Sequence, residues 1–173
     1  MEPKDKSGKV STIMGILTED MKRLVRGQRL GYVATVCPDG TPNLSPKGTT
    51  AVWDDDHLAF ADICSPGTIA NLAKNPALEI NVVDPIARKG YRFKGSATVL
   101  TEGVLFDRVM TYYRRKHGLA DGIADRIRHI VLVKIERALP LVSPVYDDGT
   151  TEGDVVRKWS AYYDTLRLNR LPR

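Results

Sequence analysis

Long stretches of the chain alternate between apolar and polar positions with a period of two, the pattern of half-buried β-strands. The alternation runs through residues 29–36, 77–84, 90–103 and 128–142. Two further extended segments cover 43–53 and 57–63, the first broken near Pro46 and Gly48. The pattern therefore predicts about six or seven strands, with a bulge or bend at Gly95 because glycine inside a strand favours one.

Four other segments have helical spacing of apolar residues. They cover 18–27, 66–74, 103–117 and 151–168, with Thr18 and Ser65 as expected N-caps and Pro66 in the first turn. Residues 118–125 are predicted to form a loop. We expect one domain over 1–173, with 1–14 as a loose polar tail and 151–168 as a C-terminal helix.

The order of these elements predicts a mainly β protein with flanking helices. Successive strands are joined by tight turns such as CPDGTP and DDDH, so they should pair antiparallel. Closing a barrel would hide the edges of so many short strands. The sequence has neither GxGxxG nor a P-loop, which argues against a Rossmann fold.

Composition narrows the possible partners. The net charge is +5, but the basic residues are scattered and the densest cluster, 114–116, falls at a predicted helix end. We therefore expect no nucleic-acid partner, while an anionic small ligand would suit the charge. No apolar run is long enough for a membrane span, and two cysteines without a CxxC favour a reducing, cytoplasmic setting. The three histidines show no metal-ligand spacing, so we expect no metal site.

Three segments are candidate anion sites. The helix start SPGT (65–68) offers hydroxyls and free amides, which either cap the helix or bind phosphate. The segment NLSPKGTT (43–50) places a lysine among hydroxyl residues beside an open glycine, or is simply a bulged edge strand. Arg92 and Lys94 share one strand face and either hold an anion or lie on a solvated surface.

A catalytic set of side chains is not visible. There is no GxSxG, no serine has an evident histidine and aspartate partner, and Asp54–Asp56 fit a solvated turn. Trp159, Tyr162 and Tyr163 on the last helix suit core or interface packing, or stacking on a ligand.

The succession of motifs resembles the pyridoxamine 5′-phosphate oxidase-like family of FMN-binding split barrels. It is carried by LGYVATVCPDGTPNLSPKG, then HLAFADICSPGTIANLAKNPALEINVV, then GYRFKGSATVL, over roughly residues 15–140. The resemblance implies a six-stranded antiparallel Greek-key split barrel. It also implies a homodimer with FMN in a cleft between the subunits.

The resemblance further implies which residues contact the cofactor. Ser45, Lys47, Gly48, Thr49 and Thr50 would lie along the ring and ribityl chain. Asp62 and Ile63 would line the strand end. Ser65, Thr68 and Asn71 would lie around the helix start, and Arg92 and Lys94 would face the phosphate.

One departure marks the chain as a divergent member. Many relatives carry an Arg-Lys pair just after the serine at the helix start, where this chain has Pro66-Gly67-Thr68. Arg92, Lys94 or Lys47 could supply the missing charge, and the helix-start amides and Thr68 could carry more of the binding. No pyridoxal-site signature is present, so the resemblance does not imply oxidation of pyridoxamine phosphate.

The function expected from the resemblance is FMN-dependent oxidation or reduction of an unidentified small molecule, in which the cofactor performs the redox chemistry. Two alternatives remain open. The barrel could hold another cofactor, a deazaflavin or haem, or it could bind flavin without catalysis.

Overall fold

The computed structural model describes residues 15–170. Within that range there are five α-helices: α1 (Glu19–Gln28), α2 (Pro66–Lys74), α3 (Val104–Tyr112), α4 (Asp121–Ala124) and α5 (Glu152–Arg170). The described part of the chain also has seven strands: β1 (Gly31–Val36), β2 (Pro42–Lys47), β3 (Ala51–Val52), β4 (His57–Asp62), β5 (Ala77–Asp84), β6 (Lys89–Leu100) and β7 (His129–Val142). A π-helical turn, Tyr113–His117, continues α3, and a short 3-10 turn covers Pro144–Tyr146.

The strands form one antiparallel sheet in the order β2-β1-β5-β6-β7-β4-β3. The two end strands, β2 and β3, are consecutive in the chain, with Lys47 and Ala51 joined by a span of at most about 14 Å. The sheet must therefore curl so that its ends approach each other. This confirms the predicted mainly β, antiparallel fold. The strand count is seven instead of the six that the resemblance implies, because residues 48–50 divide one extended segment into two strands.

The alternation along the strands separates an inner face from an outer face. Val33, Ile80 and Phe93 are fully buried on the inner face, in a core shared with Leu58 and Val131. The neighbouring outer positions remain accessible. The inner face is also where α2 packs, against β1, β2 and β6.

Gly95 and Pro46 account for two local features of the sheet. The register of β6 against β7 shifts between Lys94 and Gly95, which confirms the predicted irregularity. A Cβ at Gly95 would lie 2.1 Å from the carbonyl oxygen of Lys134, so only glycine fits there. Pro46 does not interrupt β2, because an edge strand tolerates the missing N–H; the break comes at 48–50.

Outside the sheet, one predicted helix cap is confirmed and one predicted loop is wrong in part. Thr18 caps α1 as predicted, its Oγ1 accepting a hydrogen bond from the Met21 amide at 3.3 Å. The predicted loop at 118–125 is wrong in part, since it contains the one-turn helix α4. The predicted tail 1–14 lies outside the described residues. Among the described helices, none is both long and apolar enough to cross a membrane.

Candidate functional site

Lys47 lies at the centre of a polar site between the end of β2 and the start of α2. Its side chain is buried, with the residue only 3% exposed. The Nζ atom donates hydrogen bonds to Ser45 Oγ and Ser65 Oγ, each at 2.6 Å. Among the described residues, the hydrogen-bond acceptors of this ammonium are therefore two uncharged hydroxyl groups.

The backbone explains why a lysine reaches this place. Lys47 pairs with Gly31 of β1, and Ser45 pairs with Val33, so both side chains lie on the inner face of the curled sheet. Burial lowers the pKa of Lys47, and the charge of nearby Asp62 opposes that shift. Desolvation of the ammonium is therefore the larger effect, as expected for a cation with few charged neighbours.

Ser65 does not cap α2. It occupies the N-cap position, but its side chain makes no capping hydrogen bond, with backbone angles of −139° and 59°. Its hydroxyl accepts from Lys47 instead. Capping was one of two interpretations of this serine, and the structure contradicts it. The hydroxyl faces the lysine, and the first-turn amides of α2 are left without this cap.

Asp62 adds a negative charge at the same place. The residue is 3% exposed, and its Oδ1 accepts a hydrogen bond from the Ser65 amide at 2.7 Å. Its Oδ2 lies 2.9 Å from Nδ1 of His129, the residue that pairs with it across β4 and β7. The carboxylate therefore has hydrogen-bond partners on both oxygens, which fixes its position next to the helix start.

A half-open groove of about 660 Å³ lies beside this helix start. Its lining comes from two stretches, the β4–α2 connection with the first turns of α2 and the segment that leads into β7. The lining residues are Asp62, Ile63, Cys64, Ser65, Pro66, Ile69, Ala70, Asp125, Arg126, Arg128 and His129. Ile63 is half-buried and also packs against a hydrophobic cluster below.

The three predicted contacts in the turn between β2 and β3 behave differently from one another. Thr49 Oγ1 bonds both to the carbonyl and to the amide of Ala61, at 3.1 and 2.9 Å. Thr50 Oγ1 donates to the Lys47 carbonyl at 2.8 Å. Both hydroxyls therefore stabilise the turn itself. Gly48 is exposed, and a Cβ there would meet no atom within 4 Å, so its backbone is accessible.

Thr68 and Asn71 lie on the buried side of α2. Asn71 Nδ2 donates to Thr35 Oγ1 at 3.0 Å, and Asn43 Nδ2 donates to the same hydroxyl at 3.1 Å. Asn43 also reaches Thr68 Oγ1 at 3.5 Å. These polar residues hold α2 against β1 and β2, and in doing so they fix the helix start next to Lys47.

Arg92 and Lys94 do not lie at this site. They share a face, as predicted, and the anion between them is the carboxylate of Glu79, at 3.2 and 3.6 Å. Arg92 pairs with Asn81, which pairs with Tyr32, so this is the outer face of the sheet, opposite to Lys47. Their role toward a ligand stays a prediction.

Sequence reasoning missed three residues of the groove, Arg126, Arg128 and His129. No local motif marks them, because their position depends on the pairing of β7 with β4, more than sixty residues away in the chain. The Arg128 amide donates to the Asp62 carbonyl at 3.0 Å, which continues that pairing to the groove.

Comparison with known proteins identifies the family. The sequence model of pyridoxamine 5′-phosphate oxidase matches residues 17–141 of this chain. The chain belongs to this family. The match ends at the last residues of β7, so the family's domain covers the curled sheet and the Lys47–Ser65 site but not α5.

Several solved structures resemble this family member. HupZ from Group A Streptococcus is 31% identical, with 73% of this chain and 94% of HupZ covered and a TM-score of 0.63. A protein named F420 reductase is 25% identical over 70% of this chain and 98% of its own, with a TM-score of 0.56. An FMN-binding protein from Syntrophomonas wolfei shares the fold at 19% identity, covering 73% and 87%, with a TM-score of 0.59. Among curated proteins no match is found.

Taken together, the site is suited to holding an anion. It offers one buried ammonium, two serine hydroxyls, helix-start amides and two arginines at the rim of the groove. Within residues 15–170, no cluster of three or more His, Cys, Asp or Glu side chains could hold a metal ion.

Proposed function

We propose that this protein binds FMN, with the phosphate at the Lys47–Ser65 site, and that it is an oxidoreductase acting on a small molecule. The observation that carries the proposal is Lys47, a buried ammonium whose hydrogen bonds go to two hydroxyls. Buried charges are normally paired, because desolvating an ion costs several kcal/mol. Asp62 is close enough to oppose the fall in the Lys47 pKa, but its two oxygens are bonded to the Ser65 amide and to His129. A phosphate would supply a counter-charge in direct contact with the ammonium.

The other groups at the site fit the same ligand. Ser65 Oγ can donate to a phosphate oxygen when Lys47 turns toward the anion, and the Gly67 and Thr68 amides are in the first turn of α2. Amides at a helix start favour negative charge. Asp62 opposes it, but the two oxygens of that carboxylate are already bonded, to the Ser65 amide and to His129 Nδ1.

The residues after Lys47 would position the ring. Since the hydroxyls of Thr49 and Thr50 are bonded within the turn, contacts from this segment would come from backbone groups, above all at the open Gly48. FMN, when bound, supplies hydride and electron transfer, and the protein binds and orients it. Relatives named for FMN and for F420 support a cofactor of this class in the fold.

We further propose a homodimer with the cofactor between the subunits. The outer face of β1 and β2 exposes Tyr32, Val36 and Leu44, the last with 65% of its surface accessible. Val83 of β5 extends the same apolar surface. Arg92 and Lys94 lie on this face, so a partner subunit packed here would receive their charges near its own cleft.

The dimer is tested by charge introduced into that face. We expect Leu44→Arg to convert a dimer into a monomer in sedimentation velocity, while Leu168→Arg on the exposed part of α5 leaves the dimer intact. A wild-type protein that sediments as a monomer and still binds flavin would contradict the shared cleft.

The cofactor is tested by purifying the protein, denaturing it and identifying the released chromophore by absorption and mass. Release of FMN, or stoichiometric rebinding of added FMN to the colourless protein, supports the proposal. Failure to bind FMN in either form refutes it. Turnover of a reduced nicotinamide by the loaded protein then separates an oxidoreductase from a non-catalytic flavin binder.

A deazaflavin is the second candidate, and the relative named F420 reductase, at 25% identity, is the observation that favours it. The same site would hold its phosphate group. The two cofactors differ in absorption maximum and mass, so the extraction above distinguishes them.

A further inference from the structure

A second groove lies between β3, α1 and the helix formed by α3 and its π-helical turn. Its volume is about 820 Å³, and it shares no lining residue with the groove beside Ser65. Trp53 and Tyr112 form part of its floor, packed edge to face with ring centres 6.3 Å apart. Val52 and Val104 extend this apolar surface. A floor of this kind favours a flat aromatic ligand.

The rim of the groove is strongly basic. Three basic side chains of the rim come from α3 and the π-helical turn, and a fourth comes from α1. Among the described residues that line the groove, the one acidic residue is Asp107. The basic residues are Arg26, Arg108, Arg115 and Lys116. The Arg108 guanidinium lies 5.7 Å from the centre of the Trp53 ring, so one cation already faces the aromatic floor. The net positive rim favours a ligand that carries negative charge.

A small cavity of about 50 Å³ adjoins this groove and shares Arg26, Val52 and Tyr112 with it. Arg29 and His117 also line the cavity. His117 is only 6% exposed, and neither of its ring nitrogens has a hydrogen-bond partner among the described residues. Leaving a buried polar group unpaired costs about 1–3 kcal/mol, so a partner for this imidazole is expected.

The size of the cavity limits that partner. A cavity needs roughly 10–15 Å³ to hold one water and about 150 Å³ to hold benzene, so a cavity of about 50 Å³ admits a carboxylate-sized group but not a ring. A neutral imidazole has one N–H donor and one acceptor nitrogen. The N–H of His117 can donate to an anion, while its other nitrogen can accept from an arginine of the cavity.

We infer that the groove binds a flat aromatic carboxylate, with its ring on Trp53 and Tyr112 and its carboxylate between Arg26, Arg29 and His117. The site is separate from the one proposed for FMN phosphate, and the inference does not depend on flavin binding.

The test is calorimetric titration of the full-length purified protein with naphthalene-2-carboxylate and with 2-naphthylmethanol, which has the same ring without the charge. We expect the carboxylate to bind at least about tenfold more tightly, since charge-assisted hydrogen bonds contribute roughly 1.5–3 kcal/mol. Equal affinity for the two probes, or no binding of the carboxylate, would overturn the inference.

Variants locate the binding. His117→Phe should weaken binding of the carboxylate at least about tenfold, because the hydrogen bond from the imidazole is lost. It should not lower the melting temperature, because it removes two buried nitrogens that have no partner among the described residues. Arg29→Gln, at an exposed position, should also weaken it. Arg114→Gln is the matched control, since Arg114 pairs with Asp125 outside the groove. If His117→Phe folds and keeps full affinity, or if it fails to fold and Arg29→Gln keeps full affinity, the site is refuted.

Discussion

Replacing Lys47 by methionine separates the ligand-binding role of this residue from its structural role. Methionine keeps most of the aliphatic volume and removes the ammonium. Lys47 is 3% exposed, and its ammonium donates hydrogen bonds to Ser45 and Ser65. Desolvation is the largest influence on the pKa of this ammonium. A buried charge without an ion pair costs free energy, so we expect the free energy of unfolding to stay within about 1 kcal/mol of wild type or to rise.

The effect on FMN should be much larger. Loss of one charge-assisted hydrogen bond to a phosphate costs roughly 1.5–3 kcal/mol, which corresponds to an affinity lower by about 10- to 150-fold. The affinity is measured by quenching of FMN fluorescence, and stability by urea unfolding of the same cofactor-free samples. Lys158→Met makes the same chemical change at an exposed position of α5 and should alter neither quantity. A Lys47→Met protein that is folded and binds FMN with wild-type affinity would refute the assignment of the phosphate to this site.

Three further predictions address other parts of the molecule. If the partner subunit brings Arg92 to the cleft, Arg92→Ala should lower the affinity for FMN by about one to two orders of magnitude, because a charge-assisted contact of roughly 1.5–3 kcal/mol is lost. An unchanged affinity would reject that role. Gly95→Ala should destabilise the fold by about 1–3 kcal/mol in urea unfolding because its Cβ would collide with the Lys134 carbonyl, whereas Gly67→Ala, where a Cβ meets open space, should not cause such a clash. Burial lowers the pKa of His117, with Arg29 contributing, so the unfolded chain binds this proton more readily. Stability should therefore be lost as pH falls from about 6.5 toward the folded-state pKa, and His117→Phe should flatten that part of the profile by comparison with wild type.

The strands could be predicted from sequence because burial on one face imposes alternation directly. Val33 and Ile80 are buried while their neighbours in the chain are at least partly accessible. The amino-acid sequence of these strands shows a matching alternation of positions. The irregularity at Gly95 was predictable too, since an isolated glycine within a long strand commonly marks a bulge or a bend. By contrast, the segment GLADGIAD is predicted to be a loop, and the one-turn helix α4 within it is too short to show a helical period of apolar residues.

The candidate site was harder to predict because its contacts join distant segments. Whether Ser65 caps α2 or faces a cation depends on where Lys47 lies, and that depends on how the sheet curls. The same limit applies to Arg92 and Lys94. Their spacing showed that they share a face, but only the pairing of β6 with β5 and β1 shows that this is the outer face.

The charge balance at the helix start suggests which cations would complete the proposed phosphate site. A phosphate monoester carries nearly two negative charges near neutral pH, and Lys47 supplies one positive charge. Asp62, buried beside Ser65, increases the need for a second cation. Arg126 and Arg128 line the same groove as Ser65, whereas Arg92 and Lys94 lie on the outer face and would reach the phosphate only across the proposed subunit boundary. If the phosphate binds at this helix start, we therefore expect the arginines before β7 to supply the charge of the Arg-Lys pair that this chain lacks there. The anion would then be held by the end of β2, the start of β7 and the start of α2 together. Its binding would depend on the pairing of β4 with β7 as well as on the helix.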